Sequence, residues 1–338
     1  MEYGLRDPMN RYRLIYDAEK QRGKSSKEVA KIRTLCTELR SFTIETPSHI
    51  MRSRKSNTGL ELFPEDPTMV SIRNLRIIGY ELYVRPSMPG CFGKLEVLCL
   101  NSIVLLCRGE AEVSMFEFPT FPSLHTLHIA NSTIRTSTRP RRTLFTKAKF
   151  PLLRSLVLQN NAIQLDTLHD IVLEFELESL ALVGEQEILF LDDVILNGGT
   201  DDFTGATFDS VKHLSFNYTR VGSAGDMQLA HMNKLESCTY HMDVADIVDF
   251  SDTMTTFFES NLEQISSGES SLRRMVFLVT EETLGRYQSE SAEDMCTDLD
   301  VDESAQAVQY VGSLCGESNI EYTWELISFT KWCAHACF

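Results

Sequence analysis

Apolar residues along this chain recur in one short phrase, and between recurrences the hydrophobic period changes from two towards four. The clearest copy is FPLLRSLVLQNNAI, residues 150–163, where Leu153, Leu156, Leu158, Asn161 and Ile163 spell Leu-x-x-Leu-x-Leu-x-x-Asn-x-Ile. The Leu156/Leu158 alternation predicts a short strand, because side chains two apart share one face of a pleated strand. Asn161 then falls where the chain turns, with an amide able to satisfy backbone groups left unpaired there. One such unit cannot cover its own apolar edge, so its recurrence decides the fold.

The phrase does recur. Upstream copies use Leu124, Leu127, Ile129, Ser132 and Ile134, then Leu95, Leu98 and Leu100 with Ile103 at the polar turn position. Ile72, Leu75 and Ile77 form an earlier copy, and Leu39, Phe42 and Ile44 a fainter one. Downstream come Leu177, Leu180 and Leu182, then Val211, Leu214 and Phe216 with Thr219 and Val221. Leu235, Cys238 and Tyr240 with Asp243, and Leu272, Met275 and Phe277 with Thr280, are weaker copies. From Leu95 the starts advance by 29, 29, 24, 34, 24 and 37 residues, which fits repeats of roughly 20–29 residues carrying insertions. The competing reading is an ordinary α/β domain with Leu-rich strands. The turn residue recurring three positions after the last Leu-type position counts against it.

Between the strands lie segments of helical spacing. Asp166–Phe175 sets Leu168, Ile171, Val172 and Phe175 on one side, with Asp166 as cap. Thr253–Ile265 offers Phe257, Phe258, Leu262 and Ile265; Ser304–Leu314 offers Val308, Val311 and Leu314 behind acidic residues suited to a helix N-terminus. The expected fold class is therefore α/β: a leucine-rich repeat solenoid, a curved horseshoe of about eight or nine parallel strands on the concave face. Helices and irregular segments form its convex face.

Composition refines this picture. The 338 residues carry a net charge of −16 and 43% hydrophobic content. No run of about 18 apolar residues is present to span a membrane, and the opening MEYGLRDPMNRYRLIYD lacks an apolar signal core. A cytoplasmic or nuclear protein is expected. Nine cysteines are too few and too scattered for a disulfide scaffold; Cys91, Cys99, Cys107 and Cys238, in or beside strands, read as small hydrophobes. Residues 1–34 read as a short basic segment, partly helical or disordered, ahead of a repeat domain over 35–338. That domain holds a basic insertion, 135–149, and an acidic mobile one, 280–304. The negative total argues against general nucleic-acid binding, since phosphate contact needs basic surface.

Candidate chemistry is sparse. Cys333, His335 and Cys337 are close in sequence, but their spacing is not that of a zinc finger, and with Trp332 they read as packing of a last helical cap. The Asn197–Asp202 stretch NGGTDD occurs once, whereas β-helix calcium sites need serial copies, so it reads as a Gly-rich solvent loop. No Gly-x-Ser-x-Gly, phosphate loop, HExxH or dinucleotide fingerprint is present. Neither an enzyme nor a cofactor or metal is expected. Arg135, Arg139, Arg141 and Arg142 head a basic loop that could grip an acidic partner or serve nuclear import; a solvated insertion is the simpler reading. If Leu156 and Leu158 point inward, the strand positions between them point out. That register puts Arg76, Asn101, His128, Gln159, His213, Asn217 and His241 on a small, neutral, hydrogen-bonding concave ladder, the expected protein-binding surface.

The FPxLxxLxL phrasing at Phe121–Ile129 and Phe150–Leu158, the irregular repeat lengths and the long polar insertions resemble the leucine-rich part of fungal F-box proteins. The resemblance covers roughly residues 35–338. It implies a substrate-recognition part of a cullin–RING ubiquitin ligase, acting in ubiquitin-dependent degradation, with a protein substrate as partner. No leucine–proline-led F-box helix set precedes Leu39, so a ligase adaptor would be engaged only through an F-box supplied upstream. The second reading is a leucine-rich activator or regulator of a small GTPase; here, though, the acidic run lies inside the fold rather than in a tail.

Overall fold

The computed structural model describes residues 11–15, 41–45, 59–61, 72–79, 81–84, 93–107, 120–134, 147–159, 175–183, 210–217, 229–243, 247–280 and 299–327. The strands run β1 (Arg11–Ile15), β2 (Ser41–Glu45), β3 (Gly59–Glu61), β4 (Asn74–Ile78), β5 (Glu81–Val84), β6 (Val97–Asn101), β7 (Val104–Cys107) and β8 (Thr126–Ala130). They continue as β9 (Thr133–Ile134), β10 (Ser155–Gln159), β11 (Ser179–Val183), β12 (His213–Asn217), β13 (Ser237–Asp243), β14 (Arg274–Thr280) and β15 (Glu321–Ile327). Three α-helices are described, α1 (Ile247–Ser260), α2 (Leu262–Ser267) and α3 (Leu299–Glu317), besides a 3-10 turn at Leu229–His231. The chain divides into two compact units, Met1–Leu156 with Asn160–Phe175, and Val157–Gln159 with Glu176–Phe338.

In the first unit, β1, β2, β4, β6 and β8 pair side by side, all parallel and in chain order. The inward residues are those of the repeat phrase. Ile72, Leu75, Ile77, Leu95, Leu98, Leu100, Leu124, Leu127, Ile129, Leu153 and Leu156 are all buried. Phe121 and Phe150, which open the two best copies, are buried and stacked at 5.5 Å. Each also closes the turn into its strand, since Leu124 N donates to Phe121 O and Leu153 N to Phe150 O.

One backbone device joins the coils. The carbonyl just ahead of several strands accepts two successive amides from the next coil: Arg73 O takes Glu96 and Val97, Glu96 O takes His125 and Thr126, and His125 O takes Arg154 and Ser155. The second unit repeats it, with Glu178 O, Lys212 O and Glu236 O as acceptors.

After β4, β6 and β8 the chain turns through left-handed residues, Gly79 (φ 78°), Ser102 (φ 55°) and Asn131 (φ 49°). They follow register partners, so the turns stack. The turn therefore sits one residue before the polar position of the repeat phrase. Ser132 at that position still does the expected work: its hydroxyl accepts Ile103 N of the preceding coil at 3.1 Å and donates to Ala130 O at 2.6 Å.

Beyond these turns the first unit departs from expectation. Helices were expected opposite the main strands; instead β3, β5, β7 and β9 form a second parallel sheet. The segments explain this, since ELYV, VLLC and TI are short and rich in β-branched, aliphatic or aromatic residues. Arg11–Ile15, within the basic segment over 1–34, is likewise a strand and pairs with β2. Its Tyr12 and Leu14 alternate in register with Phe42 and Ile44.

The second unit orders β11, β12, β13, β14 and β15 in the same parallel way. Its inward phrase residues, Leu177 through Phe277, are buried, and aromatics progressively replace leucine. Tyr240 lies 4.8 Å from Phe216, 5.2 Å from Phe250 and 5.8 Å from Phe277; Phe277 lies 4.5 Å from Trp324. The helices cover this core. α1 buries Ile247, Phe250, Met254, Phe257 and Phe258, and α3 buries Ala307, Val311 and Cys315 at helical spacing.

Asn261 breaks the helix after Ser260 and is itself buried. Its Oδ1 accepts Leu229 N at 2.7 Å, and its Nδ2 donates to Phe257 O at 2.8 Å. Past the break, Leu262, expected on the apolar face, is 64% exposed. Gly268 ends α2 in the left-handed conformation. The last residues of the expected acidic insertion, from Leu299 to Ser304, belong to α3. Apart from Thr280, which ends β14, the rest of it, like the basic loop with Arg135, Arg139, Arg141 and Arg142, the NGGTDD stretch, Cys333–Cys337 and the helix expected before Phe175, lies outside the described residues.

Candidate functional site

The outward sheet face was the expected binding surface, and parallel register turns it into transverse rows. In the first unit the opening row is Asn74, Val97 and Thr126, the second Arg76, Cys99 and His128, the third Ile78, Asn101 and Ala130. In the second unit the opening row is Ser179, His213, Ser237, Arg274 and Glu321. The next is Ala181, Ser215, Thr239, Val276 and Thr323. The third takes in Val183, His241, Leu278 and Glu325.

The opening rows are the least buried. Asn74, His213, Arg274 and Glu321 of the opening rows are exposed, and Val97, Thr126, Ser179 and Ser237 are half-buried. Second-row Ser215, Thr239, Val276 and Thr323 are half-buried. In the third rows Ala130, Val183 and Leu278 are buried. Each unit's face is thus most open where its strands begin, although Ile78, Asn101 and Glu325 of the third rows stay half-buried.

This corrects the expected ladder at three positions. His128 is 3% exposed, Gln159 1% and His241 4%, so none offers an open contact. These positions alternate with the buried phrase residues as expected; the character of the face differs. Val157, Ala181, Val183, Val276 and Leu278 interleave the polar positions, and Val183, Leu278 and Val276 gather into an apolar cluster. Such a face excludes water rather than displaying hydrogen-bonding groups to it. His213 is exposed, and Arg76 and Asn101 are half-buried. Asn217 lies on β12, with its side chain outside the described residues.

The polar groups of the face pair laterally. His213 Nδ1 lies 2.8 Å from Ser237 Oγ, and His241 Nε2 lies 2.7 Å from Ser215 Oγ. Asn131 donates from Nδ2 to Asn101 Oδ1 at 3.1 Å. Between strand entries, Arg73 pairs with Glu96 at 2.7 Å and Lys212 with Glu178 at 3.6 Å, both exposed enough that water screens them. Arg274, Glu321 and Thr323 were missed as candidates. Arg274 follows directly from carrying the register one coil further, but Glu321 and Thr323 require β15, whose inward Tyr322 and Trp324 do not match the leucine phrase.

Among the described residues, no group of three or more His, Cys, Asp or Glu could hold a metal ion, and no helix is long and apolar enough to cross a membrane. No model of a known protein family matches the chain, and no curated protein matches it.

Proposed function

We propose that this chain is a protein-binding repeat domain of the leucine-rich type whose partner docks on the open opening rows of its sheet face. The carrying observation is the row Ser179, His213, Ser237, Arg274 and Glu321, in unbroken register, with His213, Arg274 and Glu321 exposed. Strands about 4.8 Å apart give such a row a length of roughly 19 Å, enough for several side chains of a folded partner. Its hydroxyls, imidazole and mixed charges favour hydrogen-bonded protein contact over capture of a charged metabolite. The repeat phrasing further supports the substrate-recognition part of a cullin–RING ubiquitin ligase, with the adaptor engaged through an F-box carried elsewhere.

Affinity capture with the full chain, followed by identification of the bound proteins, tests this. Recovery of a ligase adaptor or of proteins stabilised by proteasome inhibition is expected; recovery of a small GTPase in its place overturns the ligase assignment. With a partner in hand, His213→Ala combined with Arg274→Ala should weaken binding at least tenfold while stability stays within about 1 kcal/mol, as exposed substitutions do. Unchanged affinity would remove the docking surface from these rows.

A further inference from the structure

The second row of the first unit brings together three groups that the binding role does not use. Arg76 is the register partner of Cys99, and Cys99 that of His128, all on one face. The Cys99 sulfur lies 3.6 Å from His128 Nδ1. The Nε of Arg76, shut off from water, meets no hydrogen-bond acceptor. Cys99 therefore has an imidazole-bearing residue beside it on one strand and a guanidinium-bearing residue beside it on the other. The core thiols are placed differently. Cys238 and Cys315 are fully buried among apolar side chains, and burial pushes both up to about 12. Cys99 is also buried, but at 7% exposure against 0% for the two core thiols.

We propose that Cys99 is an exchange-competent thiol of this protein, a site of reversible S-thiolation by small-molecule disulfides. The imidazole of His128 takes the thiol proton, and the Cys99 sulfur attacks one sulfur of the disulfide. A new S–S bond forms as the old one breaks, and the departing thiolate recovers the proton from the imidazolium. The disulfide is the only oxidant consumed. Arg76 holds the negative charge while it is on sulfur, and its unfilled Nε–H faces no competing acceptor. Acyl transfer, the other chemistry of a Cys–His pair, needs backbone donors aimed at an oxyanion; the amides of β6 and β8 are committed to the parallel ladder. Thiol–disulfide exchange needs no such donors.

The test exposes the intact native chain to glutathione disulfide and locates adducts by mass spectrometry over time. Cys99 should be modified at least about tenfold faster than Cys238 or Cys315, as thiolate character and access dictate. His128→Gln and Arg76→Gln should each slow Cys99 severalfold near pH 7 and much less near pH 9.5, where thiolate forms unaided. Arg76→Lys, which keeps the charge, should retain most of the rate. Thermal melts identify folded variants, and if His128→Gln does not fold, the Arg76 pair decides. Cys99 reacting no faster than the two core thiols, or slowing equally at both pH values, overturns the proposal.

Discussion

Phe121 and Phe150, 29 positions apart, stack nearly parallel, with ring centres 5.5 Å apart and planes inclined by 8°. Each begins an FPxL phrase, so the stack joins corresponding positions of successive coils. Phe150→Ala should cost ~3–5 kcal/mol, the range for truncating a buried aromatic. Phe150→Leu should cost clearly less, and urea denaturation of both variants measures the difference.

Ser132 is a small residue with a disproportionate task. Removing its hydroxyl leaves the buried Ile103 amide without its acceptor. Ser132→Ala should therefore destabilise by ~1–3 kcal/mol, the penalty for orphaning a buried backbone donor. Hydrogen exchange at the Ile103 amide should accelerate in the same variant; unchanged exchange would show that another group replaces the hydroxyl.

Alkaline pH should weaken the second unit through its buried acids. Burial raises Cys238 and Cys315 to about 12 and Tyr240 well above its ordinary value. The Tyr240 hydroxyl is itself shut off from water without a well-formed hydrogen bond, although the Cys238 thiol lies beside it. In the unfolded chain these groups ionise from about pH 8.5 for cysteine and about pH 10 for tyrosine. Stability from their neutral burial is thus complete below about pH 8.5 and is lost as pH rises from there towards about 12. The slope grows by about 1.4 kcal/mol per pH unit for each group ionised only when unfolded. Denaturation midpoints should stay flat to that point and then fall, less steeply in Cys238→Val.

At Gly312 a Cβ would lie 2.8 Å from the Tyr322 hydroxyl oxygen and 2.9 Å from its Cζ. Replacing a mid-helix glycine by alanine ordinarily gains about 1 kcal/mol. Here the gain should vanish or reverse, because the Tyr322 ring must swing aside. In a Tyr322→Ala background the gain should reappear, and a double-mutant cycle reads the coupling.

The core was legible in the sequence because its signal is periodic and local. Every Leu-x-x-Leu-x-Leu position from Ile72 to Phe277 is buried. The helices around Phe257 and Val311 were legible for the same reason, though longer than their apolar stripes. β15 escaped because its inward residues are Tyr322 and Trp324, and β1 because two arginines flank its Tyr12. The helix break at Asn261 depends on a bond to Leu229, 32 residues away, which no local pattern encodes. The outward face misled for a different reason. Period-two alternation set His128 and His241 between the phrase residues, but which side is wet depends on what the whole face contains.

The carbonyl that accepts two amides from the following coil has a consequence for the history of such a chain. It fixes where such a strand enters the sheet, whatever number of residues precedes it. Strand starts that advance by 24 in one place and 37 in another enter through the same paired bonds, at Lys212 O and at Glu236 O. Pitch is set by backbone geometry and residue number is left free. Segments between strands can therefore lengthen, shorten or be exchanged by recombination, each change confined to its own coil, while the lattice of side chains on either side keeps its spacing.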